Sequence, residues 1–138
     1  MSEIKTDKLT GTSTAGSILV TGEGNSTTTN LQQGLAKAWQ SITASGGTPS
    51  FNDSFNTSSI TDSNVGRHTL NFSNSFSSVN YAVTGSCQTS STSQLSNSGE
   101  FRVGDLTTGT EAFSTANEGQ TVFVDCPRTH IYQLGDLA

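Results

Sequence analysis

Residues 51–81 read FNDSFNTSSITDSNVGRHTLNFSNSFSSVNY, and the reading of this stretch decides the fold. It sets Phe51, Phe55, Ile60, Leu70, Phe72, Phe76, Val79 and Tyr81 among small polar residues, the densest apolar run in the chain. His68, Leu70 and Phe72 alternate with polar neighbours, and so do Val79, Tyr81 and Val83. A period of two marks a strand with one buried face. Residues 62–66, Asp-Ser-Asn-Val-Gly, contain Asn and Gly, which tolerate the positive φ of a tight reversal. The stretch therefore predicts a turn followed by two antiparallel strands, joined by a bend at residues 73–78. No catalytic residue type is concentrated in it.

Composition limits what can surround this stretch. The chain has 138 residues, room for one domain, yet only 30% are hydrophobic and 12% charged, so both the core and the charged surface are thin. Ser and Thr supply roughly a third of the residues, with Gly and Asn also abundant, a mixture that suits short strands joined by turns. Charge-driven disorder is not expected, because the net charge is only -5 and the apolar residues fall in alternating clusters. A small domain buries a limited share of its surface. Association between copies would offset the shortage of apolar groups.

The acidic balance, with a pI near 4.7, argues against a nucleic-acid partner, which needs clustered Lys and Arg to displace counterions. Lys5, Lys8, Lys37, Arg67, Arg102 and Arg128 are dispersed. No apolar run approaches the roughly 20 residues of a membrane-spanning helix, so no membrane insertion is expected. The opening MSEIKTDKLTG lacks the apolar centre of a secretory signal, which points to a soluble chain not exported by that route.

Residues 1–34 hold few large apolar side chains: Ile4, Leu9, Ile18, Leu19, Val20 and Leu31. Gly11, Gly16, Gly22 and Gly24 interrupt any helix, and the Thr27-Thr28-Thr29 run favours extended backbone. Such a segment cannot build a core by itself. It predicts an extended arm, with Leu9, Ile18, Leu19, Val20 and Leu31 as the residues that anchor it to sister chains or a host assembly.

Residues 35–138 predict the head. LAKAWQSIT at 35–43 reads as a strand before the Gly46-Gly47-Thr48-Pro49 turn, with Trp39 as a core or interface anchor in preference to a sugar-stacking platform. The polar stretch at 85–99 is either a plain surface excursion or a display loop in which Gln88, Ser90, Ser91, Thr92, Gln94 and Asn97 face a receptor. Beyond it, residues 100–103, 110–116, 121–124 and 129–134 read as further strands, with turns at 105–109 and 117–119. In the last strand Ile131 takes one face and His130, Tyr132 and Leu134 the other. About seven short strands at intervals of roughly ten residues predict an all-β fold, an antiparallel β-sandwich.

Catalytic chemistry finds little support. His68 and His130 are the only side chains that ordinarily titrate near neutral pH, and neither lies in an H-E-x-x-H motif. The alternation around His68 suggests an edge-strand histidine. Cys126 and His130 lack the two further ligands that a tetrahedral zinc site needs. There is no G-x-S-x-G elbow. Asp53, Asp62, Asp105, Glu111, Glu118, Asp125 and Asp136 supply carboxylates, but nothing in their spacing sets two of them at a glycosidase separation. No enzyme activity, cofactor or metal is expected. Cys87 and Cys126 are the only cysteines and read either as small buried thiols or as a disulfide closed outside the cell.

Several phrases carry a resemblance: GLAKAW at 34–39, DSFNTSSITD at 53–62, HTLNF at 68–72, VNYAV at 79–83 and the closing LGDLA at 134–138. Together they resemble a domain of virion structural proteins of tailed phages, most familiar in tail-fibre-like proteins of marine and cyanobacterial phages. The resemblance spans about residues 32–138, and its most specific part is the 53–62 phrase following GLAKAW. It implies a trimeric β-sandwich head on an extended N-terminal stalk or anchor, assembled in the host cytoplasm into the virion, and it brings no catalytic residues. Two roles then follow. One is a homotrimeric tail fibre or fibre tip, its arm docked on other virion proteins and its loops touching a host surface glycan or protein. The other is a capsid or tail decoration protein with no receptor role.

Overall fold

The computed structural model describes residues 4–10, 18–21, 28–31, 34–89, 98–117 and 122–138. These fall into two compact units, Met1–Leu35 and Ala36–Ala138. In the first, β1 (Leu19–Thr21) and β2 (Thr28–Asn30) form an antiparallel ribbon with Leu19 opposite Asn30. Leu31 N–H continues it by donating to the Ile18 carbonyl at 2.8 Å. All three residues of β1 are exposed, so this strand gains little from burial.

The second unit is one eight-stranded antiparallel sheet, nearly closed into a barrel. Its strands are β3 (Ala38–Thr43), β4 (Ser50–Phe55), β5 (Thr57–Asn64), β6 (Arg67–Phe72), β7 (Ala82–Gln88), β8 (Ser98–Leu106), β9 (Thr110–Ala116) and β10 (Arg128–Leu134). They lie in the order β4-β3-β10-β7-β8-β9-β6-β5. The halves β4-β3-β10-β7 and β8-β9-β6-β5 join at one seam where, among the described residues, Cys87 pairs with Gly99 and Gln88 with Ser98. At the opposite seam β4 runs into β5 through Asn56, at φ 56°, and Gln40 Nε2 donates to Thr57 Oγ1 at 2.6 Å.

Period-two burial builds the interior. Ala38, Gln40 and Ile42 of β3, His68, Leu70 and Phe72 of β6, and Thr129, Ile131 and Gln133 of β10 all point inward. Ile42 and Ile131 from one half meet Leu70 and Phe113 from the other. A second cluster, Ala38, Phe72, Phe76 and Tyr81, fills one end. Each fully buried aliphatic or aromatic side chain here contributes about 1.5–3 kcal/mol relative to exposure.

Several expectations are corrected. β6 does not pair with the strand after it; its neighbours are β5 and β9. Residues 73–81 are a crossover in place of a simple bend. Phe76 bridges Leu137 and stacks on Tyr81 at 4.1 Å between ring centroids, so this segment plugs the end of the barrel. Tyr81 lies just outside β7, and Val79 is exposed. The turn expected at 62–66 shrinks to Val65-Gly66, because Asp62, Ser63 and Asn64 continue β5. Likewise Asp105 lies within β8, and of the strand expected at 121–124 the described residues form only a bridge from Phe123 to Ala116. His68 is not an edge-strand residue; it sits in the sheet interior, 3% exposed.

Candidate functional site

The outward face of β4-β3-β10-β7 carries what the inward alternation leaves over. Because Ala38, Gln40 and Ile42 turn in, Trp39, Ser41 and Thr43 turn out. Trp39 pairs with Phe55 on one side and Tyr132 on the other, and Tyr132 pairs in turn with Thr84. The result is an aromatic row, Phe55–Trp39–Tyr132, crossing two strand spacings, about 10 Å. Phe55 is 51% exposed and Tyr132 50%, with Trp39 partly buried between them. Trp39 is therefore not a core residue.

A polar row runs beside it. Asp53, Ser41, His130 and Ser86 occupy successive register positions one step along the same face. The β-bulge between Ser41 and Ile42 turns Asn52 onto this face, where its amide donates to Thr43 Oγ1 at 2.9 Å and to Ser41 Oγ at 3.5 Å. At the end near the seam, Ser86, Cys87, Gln88, Arg128 and His130 line a cleft of 250 Å³. Gln88 is thus the one predicted receptor-facing residue that the structure places, on the wall of this cleft. Ser90, Ser91, Thr92, Gln94 and Asn97 lie outside the described residues.

Comparison with protein-family models, with curated proteins and with solved structures finds no match.

The predicted anchor residues divide. Leu9 and Leu19 are each 60% exposed and Val20 49%, whereas Ile18 and Leu31 are partly covered. Ile4, at 86%, is more exposed still. The anchor residues and the head's aromatic row belong to different units.

A second cleft, of 360 Å³, opens on the other half, where Arg67, Thr69, Ser114, Asp105 and Phe123 line it. The Arg67 guanidinium lies 4.3 Å from the Phe123 ring centroid and that of Arg102 lies 5.9 Å away, while Arg102 also pairs with Glu100 at 3.2 Å. These cation–π contacts hold the segment around Phe123 against the sheet.

Titratable groups inside the barrel serve packing. Glu111 is fully buried and accepts from Gln133 Nε2 at 2.8 Å; burial pushes its carboxyl up to about 7. Gln133 Nε2 also donates to Gln40 Oε1 at 3.1 Å, so Gln40, Gln133 and Glu111 form one polar chain across the interior. His68 has Asp62 at 3.6 Å and Asp125 at 3.7 Å, but burial outweighs both carboxylates and lowers its pKa. Asp125 is itself engaged, accepting from Gly66 N–H at 2.6 Å. Among the described residues no group of three or more His, Cys, Asp or Glu is arranged to hold a metal ion.

Sequence reasoning missed the aromatic row. The signal was present in the alternation of Ala38, Gln40 and Ile42 with Trp39, Ser41 and Thr43, but choosing which set faces inward requires knowing that Gln40 has buried partners.

Proposed function

We propose that this chain is a virion structural protein of a tailed phage, a homotrimeric fibre or fibre-tip appendage whose head contacts a host-surface glycan. The nearly closed sheet, whose halves share a core, serves as the sandwich head of that appendage. The observation that carries the reading is the outward Phe55–Trp39–Tyr132 row beside Asp53, Ser41, His130 and Ser86. Aromatic faces stack against the C–H face of a pyranose, and the adjacent carboxylate, hydroxyls and imidazole hydrogen-bond its hydroxyls. A single such site is weak; three per fibre and several fibres per particle multiply it.

The arm supports the virion half of the reading. Leu9, Leu19 and Val20 stand exposed in the first unit, which suits a segment that becomes covered by sister chains or by another virion protein. The same exposure fits a decoration protein whose arm clamps neighbouring capsid or tail subunits. Immunogold labelling of particles carrying the chain separates the two. Label on fibres supports the appendage, label over the capsid favours decoration, and particles without label overturn both. For the purified full chain, light scattering should return three times the 14.4 kDa chain mass. A monomer at micromolar concentration sinks the trimer.

A further inference from the structure

Cys87 and Cys126 come from segments 39 positions apart and meet beside the seam. Cys87 is the penultimate residue of β7, opposite Thr129 of β10 and Gly99 of β8. Cys126 precedes β10, is fully buried, and its carbonyl accepts from Ala44 N–H at 3.1 Å. Both are free thiols, and the two side chains are close enough to shift each other's protonation, raising Cys87 and lowering Cys126. Gly99 makes room for this: a Cβ there would stand 2.6 Å from Cys87 Sγ. Cys87 is partly exposed and also lines the 250 Å³ cleft with Arg128 and His130, so a small anionic oxidant has a route to one sulfur of the pair.

We propose that Cys87 and Cys126 are a redox modification site that closes to an intramolecular disulfide by exchange with a small disulfide of the glutathione type. In the first step the Cys87 thiolate attacks one sulfur of the oxidised glutathione; the glutathione S–S bond breaks, one glutathione thiolate leaves, and Cys87 carries the other half as a mixed disulfide. In the second step the Cys126 thiolate attacks Cys87 Sγ and expels the second glutathione thiolate. The two protein thiols lose two protons and two electrons, and one glutathione disulfide becomes two thiols. Cys87 is the sulfur that the cleft reaches and Cys126 is fully buried, so the incoming disulfide meets Cys87 first and Cys126 resolves it. Closing the bond brings the two neighbouring sulfurs to about 2.05 Å. In a reducing cytoplasm the pair stays open; outside the cell it closes and ties β7 to the segment entering β10.

The test uses the full chain, purified reduced and incubated in glutathione buffers of increasing oxidised fraction, with thiols counted after denaturation and masses measured intact. The expected result is loss of both thiols together, a mass lower by two hydrogens, no retained glutathione, and a melting temperature higher by roughly 10 °C. Cys126→Ser should instead keep glutathione on Cys87. Two thiols persisting in fully oxidised buffer, retained glutathione on the wild-type chain, or disulfide-linked dimers as the main product would each overturn the proposal. The wild-type measurement decides the matter even where Cys126→Ser does not fold.

Discussion

Gln133 Nε2 donates to Glu111 Oε2 at 2.8 Å inside the barrel, joining β10 to β9 across the core with a carboxyl that burial holds at about 7. The folded-state pKa lies above the unfolded value of about 4.3, so between the two the folded chain binds the extra proton. The contribution of Glu111 to stability is therefore complete at pH 4 and lost as pH rises through 7, a change of about 3 kcal/mol. Glu111→Gln removes this titration. Subtracting the two proteins' urea-unfolding free energies at each pH from 4 to 8 should give a difference that moves in favour of Glu111→Gln by that amount; a flat difference would show the carboxyl to be unshifted.

Gly66 sits at φ 61° in the Val65-Gly66 reversal, and a Cβ there would meet Thr115 O at 2.5 Å and Val124 N at 2.7 Å. Backbone atoms on three sides cannot yield as a flexible side chain would. Gly66→Ala should cost about 2–4 kcal/mol, read as a lower urea midpoint. A loss under 0.5 kcal/mol by the same readout would mean the turn relaxes to another conformation (about the scatter of ordinary surface substitutions).

Phe55 and Tyr132 flank Trp39 on the outward face and are half exposed. Phe55→Ser with Tyr132→Ser should change stability by no more than about 1 kcal/mol while abolishing adsorption of the purified head to susceptible cells. Unchanged adsorption would remove the aromatic row from the binding surface. A change of oligomeric state in the same variant would assign the row to a subunit interface.

Leu19 and Val20 lie exposed on the β1–β2 ribbon of the first unit. On the proposed virion role, Leu19→Ser with Val20→Ser should leave the melting temperature of the head within about 2 °C and reduce the number of copies built into particles at least tenfold, counted by quantitative mass spectrometry. Normal incorporation would show that these two side chains do not anchor the arm.

The alternation in residues 67–72 and 128–134 is legible without a structure, and the structure keeps it: His68, Leu70 and Phe72 inside, Ile131 inside, His130, Tyr132 and Leu134 outside. The short segment at 38–43 is also recognisable as a strand, yet its parity was not. The sequence alone reads Trp39 as a core or interface anchor because it is the larger apolar group. In the molecule Gln40 takes the inward position, satisfied by Thr57 and by Gln133, which lies 93 positions away. A buried amide with partners costs little, so the rule that favours Trp is outweighed.

What the amino-acid order determined alone is local: extended backbone, the period of burial along each strand, the reversal at Gly66, and a thin supply of apolar side chains. These follow from each residue's own conformational preferences and its nearest neighbours. Only the tertiary structure decided that β6 lies between β5 and β9, that Phe76 plugs one end, that three aromatics line up outside, and that Cys87 and Cys126 are neighbours. Each of these depends on which distant segments pair, and pairing is settled by the summed fit of both faces of the sheet, a quantity that no single stretch of chain contains.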